Sequence, residues 1–104
     1  MIEVQYRADL DLVVIGHAGQ APYGSDVVCA GASTLLYALA EYLESCRELF
    51  KSLEISLLSG LGHIMAQPTA EFEKEAHAAF LTTIAGYRHL AHTFPEYIRF
   101  TDCR

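Results

Sequence analysis

The chain opens with a strict alternation of apolar and polar residues. Ile2, Val4 and Tyr6 fall on one parity, and polar residues occupy the positions between them. Because successive side chains of a strand point to opposite faces, this pattern predicts a half-buried strand. After a short polar turn, the run from Leu10 to Ile15 is rich in Leu and Val and predicts an antiparallel return strand ending at 16–19. The first two elements should therefore form a hairpin.

Two long segments carry apolar residues at steps of three and four, which is the spacing of one helical face. The first predicts a helix over 26–47, with a polar cap at Ser25 or Asp26. The second begins near Pro68 and is expected to end before Pro95. The buried stripe expected on the first helix consists of Val28, Ala32, Leu35, Leu39, Tyr42 and Cys46.

Alternation returns between and after the two helices. Leu53, Ile55 and Leu57 alternate with polar residues, and a Ser-Gly turn leads into a strand over 61–67, which predicts a second hairpin. A last strand is expected over 97–101, at an edge of the sheet. The order β-β-α-β-β-α-β predicts an α+β fold with a largely antiparallel sheet packed against two amphipathic helices.

Length, composition and net charge limit the number of domains and the kinds of binding partner. A chain of 104 residues with no Pro/Gly/Ser-rich linker predicts a single domain over 1–104. Because 52% of its residues are hydrophobic and only 19% are charged, apolar surface should remain outside the core, and we expect self-association. The net charge of −6, with scattered basic residues, argues against direct nucleic-acid binding. An acidic surface would suit a basic partner, although this excess is ordinary for a globular domain.

The first residues and the cysteines indicate a compartment. The chain begins directly in a strand pattern, without a basic-then-apolar secretion signal, and no apolar stretch looks long enough to span a bilayer. We therefore expect a cytoplasmic protein without membrane contact. Three cysteines without C-x-x-C spacing indicate reduced thiols, with neither a disulfide framework nor a zinc site.

One cysteine and one histidine stand where chemistry is possible. Cys29 falls in the first turn of the predicted helix, where free backbone N–H groups favour a thiolate and would also suit an oxyanion. His17 ends the first hairpin and is joined to that turn by the loop over 20–25, so it is the candidate proton carrier. Gly16 and Gly19 leave the backbone around His17 free to bend. Taken alone, the pair has an equally simple structural interpretation as a small buried thiol and a hydrogen-bonding imidazole.

The residues around this pair resemble those of the ribosomal-processing cysteine protease family (Prp). The shared elements are G-H-A at 16–18, G-x-D-x-V-C-A-G at 24–31 and the serine at 33. More loosely, the order of hairpins and helices and the closing F-P-E-Y-I-R-F segment at 94–100 are similar to that family. The resemblance implies a cysteine endopeptidase that removes the N-terminal extension of large-subunit ribosomal protein number twenty-seven.

The resemblance also implies roles for individual residues. Cys29 corresponds to the family's nucleophile and His17 to its histidine, without metal or cofactor. The family's acidic position falls on Asp26, which would orient His17 or fix the loop, although an N-cap role explains it equally well. The family's hydroxyl position falls on Ser33, which would support the thiolate or merely bond back to the helix.

The resemblance also implies an assembly state and a role for the loop between His17 and Cys29. Family members are homodimers with a mobile loop, which corresponds here to 20–25. Gly19, Tyr23 and Gly24 are accordingly the expected residues of a moving segment that contacts substrate. The expected partner is a ribosomal protein precursor, bound as a peptide.

Other functions remain open from the residues alone. The main alternative is a non-catalytic ribosome-associated binding or assembly module that docks its acidic surface on a basic partner. A redox-sensing thiol is weaker, because no resolving cysteine lies near Cys29 in sequence. A metal site at His89 and His92 lacks a third ligand.

Overall fold

A computed structural model describes residues 1–19, 21–22 and 26–104. Its five strands form one sheet in the order β3-β4-β2-β1-β5, accompanied by two long helices. The strands are β1 Ile2–Ala8, β2 Asp11–Gly16, β3 Phe50–Leu58, β4 Leu61–Pro68 and β5 Ile98–Asp102. The helices are α1 Val27–Ser45 and α2 Glu73–Thr93, with short 3-10 turns at Arg47–Leu49 and Ala70–Phe72.

The strand pairing confirms the predicted α+β class and the order β-β-α-β-β-α-β. β1 pairs with β2, β2 with β4 and β3 with β4, all antiparallel. β5 lies at the edge predicted for the last strand and runs parallel to β1, because the long crossover through α2 returns the chain in the same direction. The sheet is therefore largely antiparallel, as expected.

The core joins alternate residues of the strands to the facing sides of both helices. Ile2, Val4 and Tyr6, the predicted inward parity of β1, are fully enclosed together with buried residues of α1 and α2. Tyr87 of α2 donates its hydroxyl hydrogen to the backbone oxygen of Ala32 in α1, at 2.8 Å. Burial of this phenol raises its pKa, so it stays a neutral donor.

The buried face of α1 differs from the predicted stripe. Tyr42 is largely exposed, and Cys46 is the C-cap of the helix rather than part of its core face. Leu36 and Leu43 are buried where the prediction had Leu35 and Tyr42, because adjacent apolar residues both fit helical spacing and only one of each pair faces the core. The buried residues are Val28, Ala32, Leu36, Leu39, Ala40 and Leu43.

Two further expectations need correction. The segment after Pro68 does not enter a helix directly: the Thr69 N–H bonds to the Leu49 oxygen at 2.9 Å, and α2 begins only at Glu73. With its 19 residues, α1 is long and apolar enough to cross a bilayer, judged by length and composition alone. The prediction that no apolar stretch is long enough to span a bilayer was therefore wrong. The buried residues of α1 nevertheless belong to the apolar core, as those of a core helix do.

Candidate active site

The end of β2 carries His17 to the rim of the sheet. Gly16 has a φ of +99°, and a Cβ at this position would lie only 2.4 Å from the Met1 backbone oxygen, so no side chain fits. The Gly16 N–H donates to the Gly60 oxygen at 2.8 Å, which holds the turn between β3 and β4 beside this strand end. The chain bends at Gly16 and leaves His17 exposed, at the rim position expected for it.

The start of α1 is capped by Asp26. Its Oδ1 accepts hydrogen bonds from the N–H groups of Val28 and Cys29, both at 3.0 Å. This is the N-cap arrangement, and the carboxylate is only 7% exposed. Of the two roles considered for Asp26, the capping role is thus present. The expectation that the opening amides of this helix stand free for an oxyanion does not hold for Val28 and Cys29.

The sulfur of Cys29 is bound by a backbone group from the other side of the site. The Ala18 N–H donates to Cys29 Sγ, with an N···S distance of 3.2 Å. The methyl group of Ala18 is buried in the core, and Cys29 itself is partly buried. The residue directly after His17 therefore contacts the thiol, which brings the end of the first hairpin to the start of α1.

Two neighbouring cavities meet at this point. His17, Cys29, Ser33 and Ser59 line both of them. One cavity, of about 270 Å³, is otherwise walled mainly by apolar side chains and glycines. The other, of about 480 Å³, extends past Gly19 and the start of α1. The apolar residues of the first cavity are Ile2, Val14, Ala32, Leu36, Tyr37, Leu57, Leu58 and Leu61.

The turn between β3 and β4 lies close to the imidazole. Gly60 has a φ of +75°, and a Cβ there would lie 2.9 Å from His17 Nε2. Neither Ser59 nor Gly60 was a candidate from the sequence, where Ser-Gly indicated only a turn. The signal is long-range: β4 pairs with β2, so the turn that precedes β4 must lie beside the end of β2.

The remaining predicted residues separate into those that reach the site and those that do not. Ser33 is exposed towards both cavities, and it is Thr34 that bonds back to the helix, donating to the Ala30 oxygen at 2.8 Å. Gly19 lines the second cavity. Tyr23 and Gly24, with most of the predicted loop, lie outside the described residues. Among residues 1–19, 21–22 and 26–104, no three His, Cys, Asp or Glu side chains are grouped to hold a metal ion.

Comparison with known proteins gives this arrangement a context. The family model for cysteine protease Prp matches residues 1–99. The ribosomal processing cysteine protease Prp of Mycoplasma pneumoniae is 29% identical over 93 residues, covering 89% of this chain and 87% of that protein.

Solved structures agree in fold over nearly the whole chain. A crystal structure of an essential ribosomal processing protease Prp from S. aureus, with a covalently linked product peptide, superposes with a TM-score of 0.81 at 26% identity, covering 98% of this chain and 99% of that one. A second S. aureus structure, with a substrate peptide, gives a TM-score of 0.70 at 23% identity over 97% and 96% of the two chains. Because the family model spans all but the last few residues, the chain belongs to the cysteine protease Prp family and is a cysteine protease.

Proposed function

We propose that the chain is an endopeptidase in which Cys29 is the nucleophile and His17 is the general base. The observation that carries this proposal is the bond from the Ala18 N–H to Cys29 Sγ, since it holds the residue next to His17 against the sulfur. Both side chains also line the same two cavities, where a peptide can reach them. No hydrogen bond joins the imidazole to the sulfur in this conformation, and such contacts often tighten only when substrate binds.

The chemistry follows from the roles of the two side chains. The imidazole of His17 takes the thiol proton, and the sulfur of Cys29 attacks the scissile carbonyl carbon. The tetrahedral intermediate then collapses, and the imidazolium returns its proton to the departing amine. Water, activated by the neutral imidazole, attacks the thioester and releases the acyl product, which restores the thiol.

We further propose that the substrate is the N-terminal extension of a ribosomal large-subunit protein precursor, cleaved in the cytoplasm. The names of the relatives support the ribosomal assignment. The chain's net charge of −6 favours encounter with a basic ribosomal protein. Most residues that line the first cavity are apolar, which suits an apolar substrate side chain next to the scissile bond.

Self-association as a homodimer is part of the same proposal. Large apolar side chains remain exposed on the face of the sheet away from the helices, among them Ile15, Leu58 and Leu61. These three lie side by side, because Ile15 pairs with Leu61 and Leu61 with Leu58. The two leucines also border the first cavity, so the proposed interface adjoins the site. Sedimentation should therefore give twice the chain mass of 11.5 kDa, whereas a single 11.5 kDa species would contradict a homodimer.

The direct test uses a purified ribosomal protein precursor from the same organism. Mass spectrometry should show one defined N-terminal cut with the native protein and none with Cys29→Ala or His17→Ala. The matched controls are Cys103→Ala and His89→Ala, because both residues are exposed and lie outside the two cavities. Turnover by either site variant would reject the assigned roles. Tight binding of the precursor without any cut would instead favour a ribosome-associated assembly module.

A further inference from the structure

Two backbone N–H groups at the start of α1 already have hydrogen-bond acceptors before any substrate binds. A thiolate and the oxyanion that follows it both need N–H donors close to the sulfur. The N–H groups of Val28 and Cys29 already bond to Asp26 Oδ1. The helix terminus is therefore a poor source of stabilisation for the reacting groups.

A different backbone group is aimed at the sulfur. The Ala18 N–H lies 3.2 Å from Cys29 Sγ, as described above. Its orientation is fixed by its surroundings, because the Ala18 methyl group is only 4% exposed and belongs to the apolar core. Glycines on both sides, at 16 and 19, have φ values of +99° and +71°, so the chain bends before and after this peptide. The donor is thus preorganised, which is what stabilisation of a developing charge requires.

We propose that the backbone N–H of Ala18 is a catalytic donor that serves the Cys29 thiolate first and the oxyanion next. The inference rests on the proposed function and adds a group that no side-chain motif reveals. It explains why a small, buried residue stands directly after the histidine: its side chain anchors the peptide whose N–H does the chemistry.

The steps balance without any further reactant. After His17 has taken the thiol proton, the thiolate accepts the Ala18 hydrogen bond. As the new C–S bond forms, the π electrons of the scissile carbonyl move to its oxygen, and the sulfur loses its negative charge. The N–H then has a better acceptor in the adjacent oxyanion and shifts to it. Collapse restores the carbonyl, breaks the C–N bond and sends the imidazolium proton to the amine.

Replacing the amide by an ester tests the donor itself. Alanine at 18 is exchanged for lactic acid, which keeps the methyl group, replaces the N–H by an oxygen atom and makes the His17 carbonyl a weaker acceptor for the Met1 N-terminus. The matched control is the same exchange at Ala66, whose buried N–H donates to the Leu10 oxygen at 3.0 Å in the sheet, away from both cavities. Two quantities are measured: kcat for a precursor peptide, and the pH midpoint of iodoacetamide alkylation of Cys29, followed by peptide mapping.

The ester at 18 should lower kcat by about 10²-fold, the usual loss for one oxyanion donor, and move the alkylation midpoint to higher pH. The ester at 66 should leave both quantities near their native values. Equal kcat values in the two folded esters would overturn the proposal. Alkylation needs no substrate, so a native protein that fails to cleave would reject the proposed function, while an unmoved midpoint would reject the donor.

A measurement on the unaltered chain guards against misfolding of the ester. A peptide aldehyde adds to Cys29 and forms a hemithioacetal whose oxygen occupies the place of the oxyanion. The amide proton resonance of Ala18 should then move downfield, while that of Ala66 stays in place. An unmoved Ala18 resonance in a complete adduct would also overturn the proposal.

Discussion

Adding one methyl group at Gly60 should displace the His17 imidazole. The Cβ of Gly60→Ala would meet three atoms of that ring, at 2.9 Å from Nε2, 3.5 Å from Cδ2 and 3.6 Å from Cε1. A normal contact begins near 3.4 Å, so the ring must retreat by about half an ångström. His17 is at the rim and exposed, and it can therefore move instead of forcing the turn apart.

The size of the effect follows from this displacement. A misplacement of about 1 Å at a reacting group costs about 10²-fold in rate, so half of that distance should lower kcat by about tenfold. The substitution also places an L-residue at a φ of +75°, which should reduce the free energy of unfolding by about 1 kcal/mol. The loss of kcat and the loss of stability can be separated, because the first depends on the contact with His17 and the second on the backbone conformation at position 60.

Gly19→Ala provides the matched control. Gly19 has a nearly equal φ of +71°, but a Cβ there would meet no atom within 4 Å. Both variants should lose similar stability in urea titrations, so Gly19→Ala measures the cost of the backbone strain alone. Gly60→Ala should in addition lose about tenfold in kcat at saturating substrate relative to the native protein. If Gly60→Ala kept the native kcat, the idea that the β3–β4 turn positions the imidazole would be wrong.

Three further outcomes concern stability. Gly86→Ala brings a Cβ to 2.5 Å from Leu35 Cδ2, and this clash should outweigh the gain in helix propensity, so that the protein loses about 1 kcal/mol of stability. In a Leu35→Ala background the clash is absent, and the same change should stabilise the protein by up to about 1 kcal/mol. Asp26→Ala should cost about 1 kcal/mol in urea titrations, and Asp26→Asn much less, because an amide oxygen still accepts from the helix; equal losses would exclude capping as the cause. Hydrogen bonds from Arg104 lower the pKa of Asp102 from 3.8 to about 2, so its stabilising contribution is present above 3.8 and is lost as pH falls towards 2. Thermal melts of Arg104→Ala should show a weaker acid dependence in this window, with a difference that salt reduces, and an unchanged profile would count against the pair.

The sequence predicted the positions of the strands and helices better than the pairing of the strands within the sheet. Alternation at Ile2, Val4 and Tyr6 identifies the buried face of β1, and that face is buried as predicted. Alternation does not say which strand lies alongside, so the pairing of β4 with β2 and the parallel pairing of β5 with β1 could not be read from it. The face of α1 was misplaced at Tyr42 because Tyr42 and Leu43 both fit helical spacing, and the sequence does not say which of the two faces the core.

The sequence could indicate only those residues of the candidate site that have chemically reactive side chains. Cys29 and His17 carry distinctive chemistry, and the hairpin and the helix start were enough to bring them to one region. Ala18 has no chemical side chain, so its N–H donor is visible only in coordinates. Gly60 resembles any turn glycine until the pairing of β4 with β2 places it against the imidazole.

The order of the strands along the chain determines when, during synthesis, the candidate active site can be completed. During translation, both proposed catalytic residues are synthesised before β3, and β4 is not complete until residue 68 has been added. A nascent chain that stops before Leu61 therefore holds the nucleophile and the base without the glycine turn that supports the imidazole or the strand that pairs with β2. β1 gains its second neighbour only when the last strand is synthesised. We therefore expect a chain that lacks β4 to have no proteolytic activity, and we expect activity to appear once the sheet is complete.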